Sequence, residues 1–303
     1  MNKINWLAFL LGSVSMMSVG ASGCGVKQTS VVPGDDANRV DAPALLSDAA
    51  TIDARLGAWS TPAKIDAAAS MMLAEDDASL SPDELELTFA IVVGTQKQLS
   101  RIKRATKASA WGPASSLNIQ LAGVTDQTPR YAKDGLTLFF ASDRAGNEDV
   151  YKMTRATTAA AWSAPTAVSE VNTPARERWF TLCEGGRYLL ISDRAMADNL
   201  EIYEGVLGAG APTQLTNTPV NETGPFISFN CEHGFFATTI GTTLGVMESF
   251  RIADASWTTP TPVLEINTEM FDEQDPWLSA DGKTMLFVSN ALGTNDVYMI
   301  TRM

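Results

Sequence analysis

Five short stretches of this chain repeat one another, and their spacing limits the fold more than any other feature does. Leu-Ser-Pro-Asp at 80–83, Tyr-Ala-Lys-Asp-Gly at 131–135, Leu-Cys-Glu-Gly at 182–185, Ser-Phe-Asn at 228–230 and Leu-Ser-Ala-Asp-Gly at 278–282 each precede a short apolar run. With Asp83, Asp134, Glu184, Asn230 and Asp281 as the common position, the spacings are 51, 50, 46 and 51 residues. Self-similarity at such a period marks a repeat architecture, in which each unit buries its faces only against its neighbours. A chain of 303 residues could hold one large or two ordinary domains, and the repeat decides for one.

The best-preserved unit contains apolar runs at 136–141 and 149–154, separated by Ser142-Asp143-Arg144-Ala145-Gly146-Asn147-Glu148. Runs of five or six apolar and aromatic residues between Gly, Asp and Asn clusters read as strands joined by hairpins. A fourth strand is expected at Trp162-Ser163-Ala164-Pro165, with counterparts at Trp111, Trp257 and Trp59. Four antiparallel strands make one propeller blade. Ser-Asp-Arg followed by Gly-Asn-Glu-Asp-Val-Tyr resembles the repeat of TolB-like, WD-type β-propellers, and returns as Ser192-Asp193-Arg194 to Tyr203 and as Ser289-Asn290 to Tyr298. The resemblance covers 59–303 and is least regular in the fourth unit. There, Ala211 to Leu215 is expected to be an outer strand without tryptophan, and Thr-Thr-Ile replaces Ser-Asp-Arg.

The ends of the repeat region fix the blade count. It begins with a spare outer strand near Trp59 and ends on a third strand running to Arg302, so pairing the two closes a ring and removes two sheet edges. The expectation is an all-β, five-bladed propeller with Trp59 beside the strand that ends at Arg302, where the TolB resemblance alone would imply six blades.

Met1-Asn2-Lys3, a mostly apolar stretch from Ile4 to Val19 and the small residues Ala21-Ser22-Gly23 have the form of a secretory signal over 1–23. Because Cys24 follows, the segment resembles a bacterial lipoprotein signal. That resemblance implies a lipidated Cys24, and Gly25 after it implies sorting to the outer membrane. Residues 24–58 are rich in Ala, Asp, Ser and Pro and read as an acidic tether. The formal charge is -13, and -14 without 1–23, which hold Lys3 and no acid. A surface this negative repels phosphate backbones, so nucleic acid is not an expected partner.

Each unit carries acids six to nine residues before its common position: Asp77, Asp126, Glu177, Glu222 and Asp275, with Glu75, Asp76, Asp272 and Glu273 nearby. In a propeller these segments ring one mouth of the channel. Converging carboxylates there would suit calcium through oxygen ligands, or a pair of glycosidase acids, and five-bladed glycan hydrolases and lyases use channel-mouth acids in that way. The competing reading is that they are turn caps. Trp179 stands where other units show Pro129, Pro225 and Pro276, and with Arg176, Glu177 and Arg178 around it is a candidate for the channel mouth. Asp143, Arg144, Asp193 and Arg194 recur at one place in successive units and read as turn-stabilising pairs.

His233 is the only histidine, no Gly-x-Ser-x-Gly elbow exists, and no Cys-x-x-Cys pair is present, which leaves no support for a serine triad or a histidine-based zinc site. The glycines at 205, 208 and 210 lack a following Lys-Ser or Lys-Thr and read as a shortened connection. Cys183 and Cys231 lie one residue before and one after the common position of adjacent units. Export permits a bridge between them, although equivalent points on neighbouring blades tend to lie beyond disulfide reach. Together these features point to a monomeric, lipid-anchored envelope propeller that binds a protein or envelope glycan without catalysis. The alternatives are a glycan-active enzyme and a calcium-stabilised structural propeller.

Overall fold

The computed structural model describes residues 58–66, 74–253 and 256–303, so the signal, Cys24 and nearly all of the tether lie outside the described residues. The chain enters through β1 (Ala63–Lys64) and then builds five blades. The first is β2 (Glu75–Leu80), β3 (Glu86–Val93), β4 (Gln96–Lys103) and β5 (Ser115–Ser116). The second is β6 (Asp126–Tyr131), β7 (Thr137–Ser142), β8 (Asp149–Thr154) and β9 (Thr166–Ala167). The third is β10 (Glu177–Leu182), β11 (Arg187–Ser192), β12 (Glu201–Val206) and β13 (Thr213–Gln214). The fourth is β14 (Thr223–Ile227), β15 (His233–Ile240), β16 (Thr243–Ala253), β17 (Ser256–Trp257) and β18 (Thr261–Pro262). The fifth is β19 (Glu273–Leu278), β20 (Thr284–Ser289) and β21 (Asp296–Thr301), completed by β1. Neighbouring strands within each blade are antiparallel.

Ring closure follows the expected route. Ala63 and Lys64 pair with Met299 and Tyr298, and Ser60 N–H donates to Thr301 O at 2.8 Å. Ile65 is buried, and Lys64 forms an ion pair with Asp296 at 2.7 Å. Trp59 lies under the Arg302 guanidinium, 4.2 Å from carbon to ring centroid. The outer strands are two residues long and mostly follow the Trp-x-x-Pro segments rather than coincide with them. The outer strand without tryptophan completes the third blade, not the fourth, and the fourth has its own Trp257.

The common position of the repeat is the turn between the first two strands, where Asp134 accepts the amide protons of Leu136 and Thr137 and Asp281 accepts that of Lys283. Hydrophobic clusters form between blades: Phe139, Phe180 and Tyr188 join the second and third, and Leu189, Ile191 and Ile227 join the third and fourth. Cys183 and Cys231 are joined by a disulfide with Cα atoms 5.4 Å apart. Their offsets in opposite directions from the repeat position bring them within reach.

On the lower face, where these turns lie, four blades share an arginine anchor. Arg104, Arg155, Arg251 and Arg302 bond a carbonyl of their own blade's turn and stack on Trp111, Trp162, Trp257 and Trp59 at 4.2 to 4.4 Å.

Every innermost strand carries a bulge. The register with the second strand shifts in all five blades, and Asp77, Thr128, Trp179, Gly224 and Asp275 take φ between 47° and 56° at that point. Four of the five are not glycine, so the strained conformation is held by the surrounding ring.

Candidate functional site

The channel-mouth acids belong to two tiers. Glu75, Asp126, Glu177, Glu222 and Glu273 open the innermost strands, or immediately precede them, and all five are buried. Four of the five are held by hydrogen bonds or ion pairs to their own blade or to the loop that leads into it. Glu177 accepts the Thr173 amide and hydroxyl, the Ser192 hydroxyl and Arg194 Nη2. Glu273 repeats this with Thr268 and Ser289, and Asp126 takes Arg144 Nη2 at 2.7 Å. Asp143 and Asp193 accept the amides of Thr125 and Arg176, so the recurring Asp-Arg dipeptides tie the upper-face loops. Glu222 accepts the Thr216 and Thr218 hydroxyls, and burial beside Glu201 pushes its carboxyl up to about 8. Glu201 lies beside it, and the Glu201 Oε2 is buried with no hydrogen-bond partner among the described residues.

The second tier is the bulge. Asp77 and Asp275 lie two residues beyond the first tier, and the left-handed backbone turns them inward beside Asp76. One oxygen from each of Asp76, Asp77 and Asp275 lies within 4.8 Å of the others. Asp77 and Asp275 are closed off from solvent, at 0% and 1% exposure. Lys97 Nζ bonds Asp76 at 2.6 Å and Asp77 at 3.0 Å. Arg130, from the second blade, is fully buried and donates to the carbonyls of Ala78 and Pro129. Desolvation raises the Asp275 carboxyl well above its usual range, with Asp77 and Asp76 adding to it. Asp76 is raised for the same reasons, burial first and Asp77 next. The three carboxyl groups crowd together, so each raised acid is held up by its neighbours as well as by burial. Burial would lower the Lys97 ammonium, but Asp77 and Asp76 outweigh it and hold it up.

Lys97 and Arg130 supply the positive charge beside this acidic cluster. A divalent ion would have to displace Lys97 and face Arg130, so these residues do not fit calcium well. Nor do they resemble a glycosidase pair, whose carboxyls sit about 5 to 9.5 Å apart in an open site. Sequence reasoning passed over Lys97 and Arg130; the signal was a charged side chain inside the buried run Thr128-Pro129-Arg130-Tyr131.

Trp179 belongs to the bulge tier and is equivalent to Thr128, Gly224 and Asp275, not to the prolines, whose counterpart is Phe180. It packs with Ile191, Ile227 and the two cysteines, so it is no stacking platform at the channel mouth. Trp277 is buried against Phe226. His233 stacks between Phe235 and Phe250 and bonds Glu248 at 2.9 Å.

A different surface stands out above the ring, where the innermost strands begin. Among the described residues ten large hydrophobic side chains are exposed, and all but Ile252 and Met303 sit in or beside upper-face loops. Leu264, Met270 and Leu292 are the most exposed of the eight, at 79%, 76% and 67%. Their two loops are tied together by reciprocal bonds between Asp272 and Asn290. Asp66, Glu170, Glu265 and Glu269 are exposed in the same set of loops, where no described Lys or Arg is exposed.

No protein-family model matches this chain, and no curated protein matches it in sequence. Solved structures do match in fold. A putative TolB from Agrobacterium tumefaciens has a TM-score of 0.51 at 15% identity, over 77% of this chain and 78% of that one. An α-L-arabinofuranosidase from Podospora anserina, in complex with cellotriose, has a TM-score of 0.52 at 10% identity, over 82% and 97%. A thermostable family-43 glycoside hydrolase has a TM-score of 0.52 at 7% identity, over 77% and 90%. The chain is a five-bladed β-propeller, a fold shared by a TolB-type protein and by glycoside hydrolases. No helix among the described residues is long and apolar enough to cross a membrane.

Proposed function

We propose that this protein is a non-catalytic binding or scaffolding module of the bacterial cell envelope, anchored through a lipid on Cys24 and presenting its upper face to a protein partner. The observation that carries the reading is the concentration of exposed apolar side chains on that face. Leu264, Met270 and Leu292 would serve as anchors, and the acids around them favour a partner with basic residues about an apolar centre. The channel acids support the same reading, because Asp77 and Asp275 are enclosed and the first-tier acids already have partners.

The glycan-active alternative draws support from the fold shared with glycoside hydrolases and from the approach of Asp76, Asp77 and Asp275. It requires the channel to open around Asp77 and Asp275, which are at 0% and 1% exposure. The calcium alternative requires Lys97 to give way. Pull-down from envelope extract, run beside a glycan array, tests the reading. A protein partner lost on Leu264→Asp with Met270→Asp and kept on Asp275→Asn supports it. A glycan hit abolished by Asp275→Asn overturns it.

A further inference from the structure

The third blade lacks the plug that the other four share. In those blades the anchoring arginine donates its backbone N–H to the turn below: Arg104 to Leu85, Arg155 to Leu136, Arg251 to Glu232 and Arg302 to Lys283. In the third blade Leu207 makes the same bond, to Gly186, so Leu207 stands where the arginine should be. Downstream, Ala209-Gly210-Ala211-Pro212 occupies the place of Trp162-Ser163-Ala164-Pro165, Trp257-Thr258-Thr259-Pro260 and Trp59-Ser60-Thr61-Pro62. Arginine and tryptophan are seven residues apart in the second blade, whereas Leu207 and Ala209 are two apart. This five-residue shortening falls in the unit with the one short spacing of the repeat, 46 against 50 or 51 elsewhere.

The consequence is a groove of about 380 Å3 between the second and third blades. Trp257 lines the corresponding space between the third and fourth blades, where only about 40 Å3 remains. Val171, Leu207 and Pro212 give the groove apolar walls, and Tyr188 forms part of its floor. The Tyr188 ring lies across Gly205, where a Cβ would come within 2.4 Å of it, so the floor is fixed. Glu170 stands exposed at the rim. Its Oε2 accepts the Gly208 amide at 2.9 Å, and its other oxygen has no partner among the described residues. A groove of this size falls in the range of small-ligand sites, about 300 to 1,000 Å3.

We infer that this groove takes a tryptophan side chain, flanked by a basic residue, from a partner polypeptide. The four other blades say what fits there, because each fills the equivalent place with its own indole and an arginine. The indole would lie against Tyr188 and Leu207, and the cation would meet Glu170 on a chain of net charge -13. This site is separate from the upper-face anchors, and it stands or falls independently of them.

The test uses N-acetyl-Trp-Arg-amide as probe and N-acetyl-Ala-Arg-amide as control, titrated into the full chain while backbone amide NMR signals are followed. Saturable shifts at Gly208 and Gly210 with the tryptophan probe, and binding at least tenfold weaker for the control, are expected. Ala211 is exposed and lines the groove, so Ala211→Trp should fill it from within and weaken probe binding at least tenfold without altering Tm. Glu170→Gln should weaken binding severalfold, with less loss at high salt. No saturable shift at these glycines, equal binding of the alanine control, or unchanged binding to Ala211→Trp overturns the proposal. Leu264→Asp should leave probe binding intact even if it abolishes capture of the envelope partner.

Discussion

Glu222→Gln is the sharpest test of whether the first-tier acids are structural. Folding raises the Glu222 carboxyl from the usual 4.5 to about 8, through burial and then the neighbouring Glu201. A raised acid stabilises the fold when protonated, so its contribution is full below pH 4.5 and is lost as the pH rises through 8. At about 1.36 kcal/mol per pKa unit, the stability lost between pH 5 and pH 9 is at most about 4 kcal/mol. A glutamine amide reproduces the protonated acid: its N–H2 donates to Glu201 Oε2 and its oxygen accepts from Thr216 or Thr218. The variant should therefore match the parent at pH 5 and exceed it by about 2 to 4 kcal/mol at pH 9, a gain of about 1 M in urea midpoint. Urea denaturation at pH 5, 7 and 9 measures this, and comparing the two proteins cancels the titration of Asp76 and Asp275. A constant difference across the three pH values would refute the raised Glu222 carboxyl. A loss of several kcal/mol at pH 5 would refute the isosteric argument.

Three further outcomes follow from the ring. Replacing Cys183 and Cys231 together with serine opens a crosslink spanning 48 residues, for which chain entropy predicts a loss of about 4 kcal/mol, read as a fall in denaturation midpoint that reductant reproduces in the parent. Ile65→Ala, in the segment that closes the ring, should cost about 2 to 4 kcal/mol by calorimetry and make the amides of Val297 to Ile300 exchange faster; unchanged exchange would mean closure does not depend on this segment. Gly224→Ala places a Cβ 2.7 Å from Asp275 Oδ1 and 2.8 Å from its Cα at φ +55°, and a loss of about 3 kcal/mol is expected, with Tm as the readout.

The fold was legible because the turn at the common position favours a short side-chain acceptor, and four of the five use Asp83, Asp134, Asn230 and Asp281 in that way. The closing strand was legible from a strand missing at one end and spare at the other. The site was less so, because a bulge inserts a residue without changing the repeat length. The acids of two tiers therefore looked like one ring, and Trp179 slid one place onto the prolines. The short spacing between Glu184 and Asn230 did mark an irregular unit, but only strand pairing shows that the deletion falls in the hairpin of the third blade. Lys97 and Arg130 were invisible as a pair because they come from different blades, and nothing local ties either to Asp275.

The most direct measurement is photo-crosslinking in the native envelope, with a photoreactive phenylalanine placed singly at 264, 270 or 292 on the upper face and at 83 or 134 on the lower. A module that binds through its upper face predicts one protein adduct shared by the three upper positions and absent from the lower two. It also predicts that the adduct persists when Asp77→Asn and Asp275→Asn are added. Adducts from the lower positions alone, or an upper-face adduct that vanishes with the channel aspartates, would contradict the account.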